Sequence, residues 1–277
     1  MLIALLCALA TAEPLSDHAE IHWSPDGTAV YVSGWRHTPA DGAWTRVHEG
    51  RGRLALSPSG KPAWIDDTVV HLVDPSPRAL ELRRLVPPEG HVNTAGYWLD
   101  DGHLYVHQSR PYDGGDEGCA VIDVASGAHS MPPGGCIEPD MSIAWRFARG
   151  PEGLVAVFSA SEGVPVVQII RYTPEAGPSG ELGPSVDLYA SGLLDVVFAP
   201  DGGSAWLVTS CALDRVERPC ATASGSEAAG WWVHRWGFED RRLEGDATVI
   251  STRAVLGPDG EAVAVIRDGE LCVGPVV

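Results

Sequence analysis

One turn recurs six times in this chain and limits what it can fold into: Ser24-Pro25-Asp26-Gly27, Ser57-Pro58-Ser59-Gly60, Leu99-Asp100-Asp101-Gly102, Gly150-Pro151-Glu152-Gly153, Ala199-Pro200-Asp201-Gly202 and Gly257-Pro258-Asp259-Gly260. Proline sets φ for the first corner of a type I turn, Asp or Ser bonds back to the local backbone, and glycine takes the left-handed position that returns the chain antiparallel. Each copy therefore predicts a hairpin. The turn-forming residues are Asp26, Gly27, Gly60, Gly102, Gly153, Asp201, Gly202, Asp259 and Gly260.

A strand follows nearly every turn: residues 28–33 (TAVYVS), 103–107 (HLYVH), 154–158 (LVAVF), 205–209 (AWLVT) and 261–266 (EAVAVI). They are apolar at almost every position rather than at every second one, so both faces are buried, as when small sheets are stacked face to face. Sheets stacked in this way are the blades of a propeller. The turn glycines are 33, 42, 51, 49 and 58 residues apart, close to the ~40–45 residues of a four-stranded blade of the WD type. The fold expected is all-β: a six-bladed β-propeller with four-stranded antiparallel blades. Only 17 residues follow Gly260, too few for three more strands, so the ring is expected to close by pairing of N- and C-terminal strands, with Glu13–Ala19 as the closing strand. Such closure hides an open edge, and a monomer is the expected state.

This recurring Ser-Pro-Asp-Gly turn followed by an apolar strand resembles the TolB-like propeller repeats, which also occur in the propellers of prolyl oligopeptidase relatives. The resemblance covers nearly all of residues 13–277 and implies fold, not activity. TolB itself carries an α/β domain ahead of its propeller, and the oligopeptidase relatives continue into a hydrolase domain. This chain shows neither pattern.

Composition narrows the partners. With 19 Lys+Arg against 37 Asp+Glu the formal charge is −18, which repels phosphate backbones and anionic lipid headgroups. Neither nucleic-acid binding nor membrane insertion is expected. Residues 1–12 read as a signal peptide: an apolar run from Leu2 to Leu9, then Ala10-Thr11-Ala12 ahead of polar Glu13. The rest, 13–277, reads as a single propeller domain, periplasmic or secreted. In an oxidising compartment Cys119–Cys136 and Cys211–Cys220 are expected disulfides, each closing a short loop. Cys272 is left over and reads as a small buried residue of the last strand.

Chemistry-bearing clusters are few. No nucleophile elbow, metal-binding helix or phosphate loop occurs in the sequence, so no catalytic residue and no cofactor are assigned. The acidic loop holding Asp113, Asp116 and Glu117 offers hard oxygens to Ca²⁺, although its spacing is not that of a calcium loop. On a strand, residues 231–236 (WWVHRW) put Trp232, His234 and Trp236 on one face, with Arg235 on the other. That face is either an aromatic platform for a sugar or peptide, or inter-blade packing of the sort expected of Trp23, Trp98 and Trp206. The role expected is an exported non-catalytic propeller acting as a protein or peptide interaction module. Two alternatives stand beside it: a carbohydrate- or small-ligand-binding propeller, and a hydrolase or lactonase with its site in the central channel.

Overall fold

The computed structural model describes residues 6–8, 15, 20–48, 52–67, 69–72, 92–109, 117–137, 142–161, 164–181, 193–209, 231–250, 255–267 and 269–275. The fold is all-β, six small antiparallel sheets that are the blades of a six-bladed β-propeller. A short strand, β1 (Leu6–Ala8), comes first. Blade 1 holds β2 (Ile21–Trp23), β3 (Val30–Val32), β4 (Trp35–Thr38) and β5 (Ala43–Arg46). Blade 2 has three strands among the described residues, β6 (Arg53–Leu56), β7 (Pro62–Ile65) and β8 (Val70–Leu72). Blade 3 comprises β9 (Val92–Trp98), β10 (His103–Ser109), β11 (Glu117–Asp123) and β12 (His129–Ser130). Blade 4 comprises β13 (Ser142–Arg149), β14 (Leu154–Ser161), β15 (Val164–Thr173) and β16 (Gly177–Glu181). Blade 5 has β17 (Leu193–Phe198), β18 (Ser204–Thr209), β19 (Trp231–Gly237) and β20 (Arg242–Ile250). Blade 6 has β21 (Val255–Leu256), β22 (Ala262–Arg267) and β23 (Glu270–Pro275), and β1 completes it beside β23. The chain forms two compact units, one of Met1–Gly50 with Ala190–Val277 and the other of Arg51–Tyr189.

In the first unit the N- and C-terminal strands pair as the repeat arithmetic requires, but the closing strand is not Glu13–Ala19. It is β1, antiparallel to β23, with Leu6 opposite Val273 and Ala8 opposite Leu271. Apart from Leu15, residues 13–19 lie outside the described residues. From the expected segment Leu15 contributes: it donates its backbone N–H to Gly269 O at 2.9 Å and is buried among Val30, Val32, Ala264 and Leu271. The strand lies inside the stretch read as a leader, and Cys7 sits opposite Cys272 in the backbone register. Cys272, expected to be left over, is fully buried and disulfide-bonded.

Four of the six turns share one geometry. The glycine N–H bonds back three residues at Gly27, Gly60, Gly202 and Gly260, each with φ between 69° and 83°. Asp26, Asp201 and Asp259 each accept a backbone N–H two residues on. The other two turns differ. Gly102 has no positive φ, and Asp100 instead accepts the N–H groups of Gly102 and His103. At 150–153 Glu152 itself is left-handed at φ 51° beside Gly153.

Tryptophans tie blade to blade. Within the first unit the Trp23 indole N–H donates to Val255 O at 3.0 Å, and within the second Trp98 donates to Ala55 O at 3.2 Å. Both donors stand one residue before their turn and both acceptors two residues before theirs, so one device is used twice. Trp206 lies against Gly260, where a Cβ would come within 2.6 Å of the ring.

Blade 2 has Ser59 where most copies have Asp, and the missing carboxylate comes from blade 3. Asp101 accepts Ser57 Oγ at 2.8 Å and Ser59 N at 2.9 Å, while Lys61 Nζ donates to Asp101 O at 3.3 Å. These bonds, the Ser57 hydroxyl foremost, hold the Asp101 carboxyl below its ordinary value. Asp101→Ala is expected to lower stability by about 1 kcal/mol, since the bonds are charge-assisted but solvated. Urea unfolding of the variant checks this, with Asp100→Ala as the comparison that leaves the cross-blade bonds in place.

Candidate functional site

The two irregular turns lie side by side in the second unit, and between them opens a cleft of about 410 Å³. The β9–β10 turn contributes Leu99, Asp100 and His103. Arg149 and Gly150 enter it from the end of β13, and Thr173 and Glu175 from the end of β15. Deeper, Tyr97, Tyr172, Leu154 and Val121 line it on strands.

Its floor is an aromatic cluster. Tyr97 packs on Tyr105 and Phe147, each at 5.3 Å between centroids, and edge-on to Tyr172 at 6.2 Å. Burial pushes the Tyr97 phenol well above its ordinary value, the neighbouring tyrosines adding to it, and its buried hydroxyl has no hydrogen-bond partner among the described residues. Burial, with Glu175 nearby, also raises Tyr172, which donates its hydroxyl proton to Gly135 O at 3.0 Å. Both phenols therefore stay neutral at every physiological pH.

That bond and one from Ile137 N to the Tyr105 hydroxyl, at 3.0 Å, pin the loop 131–137 against the cluster. The Cys119–Cys136 disulfide, which bears out the sequence expectation, ties the same loop to β11. The close backbone approach of Gly134 and Gly177, and Gly134 N donating to Pro174 O at 2.7 Å, fix it to the β15–β16 turn.

At the mouth, desolvation pulls the Asp100 carboxyl up, but the His103 ring at 3.0 Å and the two backbone N–H groups outweigh it and hold it below its ordinary value. Arg149 donates from Nη2 to Leu99 O at 3.3 Å. Its pKa is lowered by desolvation, against the pull of Asp101, Tyr97 and Asp100, and it stays protonated. The cleft thus joins apolar walls, neutral phenols and a guanidinium.

None of the described ligand or metal candidates singled out in the sequence lines this cleft. On β19 His234 and Trp236 are buried and Trp232 half-buried, while Arg235 faces outward, bonded to Glu244 at 3.1 Å and Ser204 Oγ at 3.0 Å. The β19–β20 register shifts between Val233 and Arg235, placing His234 at a bulge. Asp113, Asp116 and the Cys211–Cys220 pair lie outside the described residues, and Glu117 is placed by its backbone alone, opposite Ser109. Among the described residues no group of three His, Cys, Asp or Glu side chains comes together. No described helix is long and apolar enough to cross a membrane. No sequence motif marks the cleft residues, but the departure of two neighbouring turns from the repeat was a legible signal.

No protein-family model and no curated protein sequence matches the chain. Solved structures do. One provisionally described as a gluconolactonase is 12% identical with a TM-score of 0.50, covering 98% of each chain. The extracellular domain of a provisionally assigned one-component system from B. thetaiotaomicron is 12% identical, with a TM-score of 0.48, covering 99% of this chain and 42% of that one. A protein of unknown function from Bacteroides caccae is 11% identical, with a TM-score of 0.46, covering 91% of this chain and 82% of the other. At 12% identity the likeness to the first of these is one of fold alone, and this chain's own fold class is the six-bladed β-propeller.

Proposed function

We propose that this protein is an exported, non-catalytic β-propeller that holds a protein or peptide partner in the cleft between blades 3 and 4. The observation that carries the reading is the cleft itself: its volume falls in the roughly 300–1,000 Å³ range of ligand sites, strands and the turns between them form its walls, and it combines apolar surface with a few polar groups. Sites on such rigid elements bind without a large ordering cost. Export is supported by the Cys119–Cys136 disulfide, a bond characteristic of oxidising compartments. The Ser-Pro-Asp-Gly turns support placing the chain among the TolB-like propeller repeats.

Thr173→Trp tests the reading, because an indole there fills the cleft from its half-exposed rim. Peptides selected from a displayed library on the wild-type protein are expected to lose at least about tenfold in affinity on the variant, with Tm unchanged. Equal binding by both proteins removes the cleft as the site.

A further inference from the structure

Resting on that reading of the cleft, we infer that it recognises a free carboxylate next to an apolar side chain, the C-terminal residue of a peptide partner. The cleft holds a charge that its surroundings do not fully use. Among the described residues around the cleft, the charged groups other than Arg149 and Glu175 have a close charged or charge-assisted partner. Asp100 is taken up by His103 and two backbone N–H groups, and Asp101 by Ser57 and Ser59. Nearby Arg171 is held by Glu152, through its carbonyl at 2.6 Å and its carboxylate at 3.7 Å. Arg149, exposed at the mouth and partly desolvated, donates one bond to a neutral carbonyl and among the described residues has no carboxylate within ion-pair distance, Asp101 and Asp100 acting on it only from farther away. A guanidinium in that state has donors to spare in the planar fork that fits a carboxylate bidentately.

The rest of the cleft suits what accompanies such a carboxylate. Leu99, Val121 and Leu154 offer an apolar wall, with Tyr97 lining the cleft beside them. Asp100, His103 and Glu175 at the mouth are exposed, leaving room for a chain to continue into solvent. Glu175 is the second unengaged charge, and its sign opposes the ligand. It is therefore a diagnostic position, since removing its charge favours an anion and disfavours a cation.

The experiment uses the full chain and N-acetyl dipeptides ending in Leu, Phe or Tyr, each as the free acid and as the C-terminal amide, with binding followed calorimetrically. The acids are expected to bind at least about tenfold more tightly than the amides. Arg149→Gln should erase that difference, Arg149→Lys restore part of it, and Glu175→Gln tighten the acids. Circular dichroism and Tm of the variants establish that they are folded. Equal binding of acid and amide, or weaker acid binding by Glu175→Gln, overturns the carboxylate. If neither dipeptide form binds while Thr173→Trp still blocks the library peptides, the carboxylate inference fails and the cleft stands. If Thr173→Trp leaves those peptides bound, the cleft itself is the wrong site.

Discussion

Trp98→Ala is expected to remove about 3–5 kcal/mol of stability, the usual cost of emptying a large buried aromatic site. Trp98 is 1% exposed, packs with the blade 2 and blade 3 residues Ala55, Ala63, Leu104 and Ala120, and donates its indole proton to Ala55 O. Against a total near 5–15 kcal/mol for a domain, the variant should unfold at much lower urea concentration. Trp98→Phe separates the two contributions. It keeps most of the volume and loses the hydrogen bond, so about 1–2 kcal/mol is expected. If Phe costs as much as Ala, the bond rather than the packing joins the blades. If Phe costs nothing, the repeated indole bond at Trp23 and Trp98 is incidental to stability.

Acidification from pH 7 to 4 is expected to remove about 3 kcal/mol through one histidine. His107 is fully buried on β10, edge-on to Phe147 at 6.2 Å, and desolvation lowers its pKa from 6.5 to about 4. In the unfolded chain the same ring titrates near 6.5. As pH falls below that value the unfolded state gains a proton that the folded state refuses, so stability falls with pH down to the folded pKa and then levels off. His37, also lowered first by burial, adds to the same slope. The turn carboxylates act at lower pH. Asp26, lowered chiefly by the Ser24 hydroxyl, contributes stability above 3.8 that is lost only as pH falls through its folded value. Urea titrations at pH 7, 6, 5 and 4 check the histidine slope, and His107→Leu should flatten most of it. A slope unchanged by that substitution would falsify the assignment.

Much of the fold was legible because its signals are local. A Ser-Pro-Asp-Gly turn makes its own hydrogen bonds, and an apolar strand that follows it needs a neighbour on each face. From these, six hairpins, six blades and the pairing of the chain ends follow without any long-range information. The Cys119–Cys136 bridge was legible for the same reason, its partners flanking one segment 17 residues apart. A single segment can carry two local signals: Leu6–Ala8 reads as part of an apolar leader, and in the structure it is the strand β1 beside β23. The same assignment left Cys272 without a prospective partner.

The site was legible only as irregularity. Leu99-Asp100-Asp101-Gly102 lacks proline, and Gly150-Pro151-Glu152-Gly153 puts a charged residue at the left-handed corner, but no spacing says that Tyr97, Arg149 and Tyr172 meet across them. Nor does the pair Asp100-Asp101 reveal that the first carboxylate closes its own turn while the second serves Ser57 and Ser59 in the preceding blade. The sequence by itself determined the turn chemistry, the strand pattern and hence the class of fold, because each depends on residues close in the chain. Tertiary structure alone decided which charges are spent, which phenols are buried and where a cleft opens, because those depend on burial and on groups brought together from separate blades.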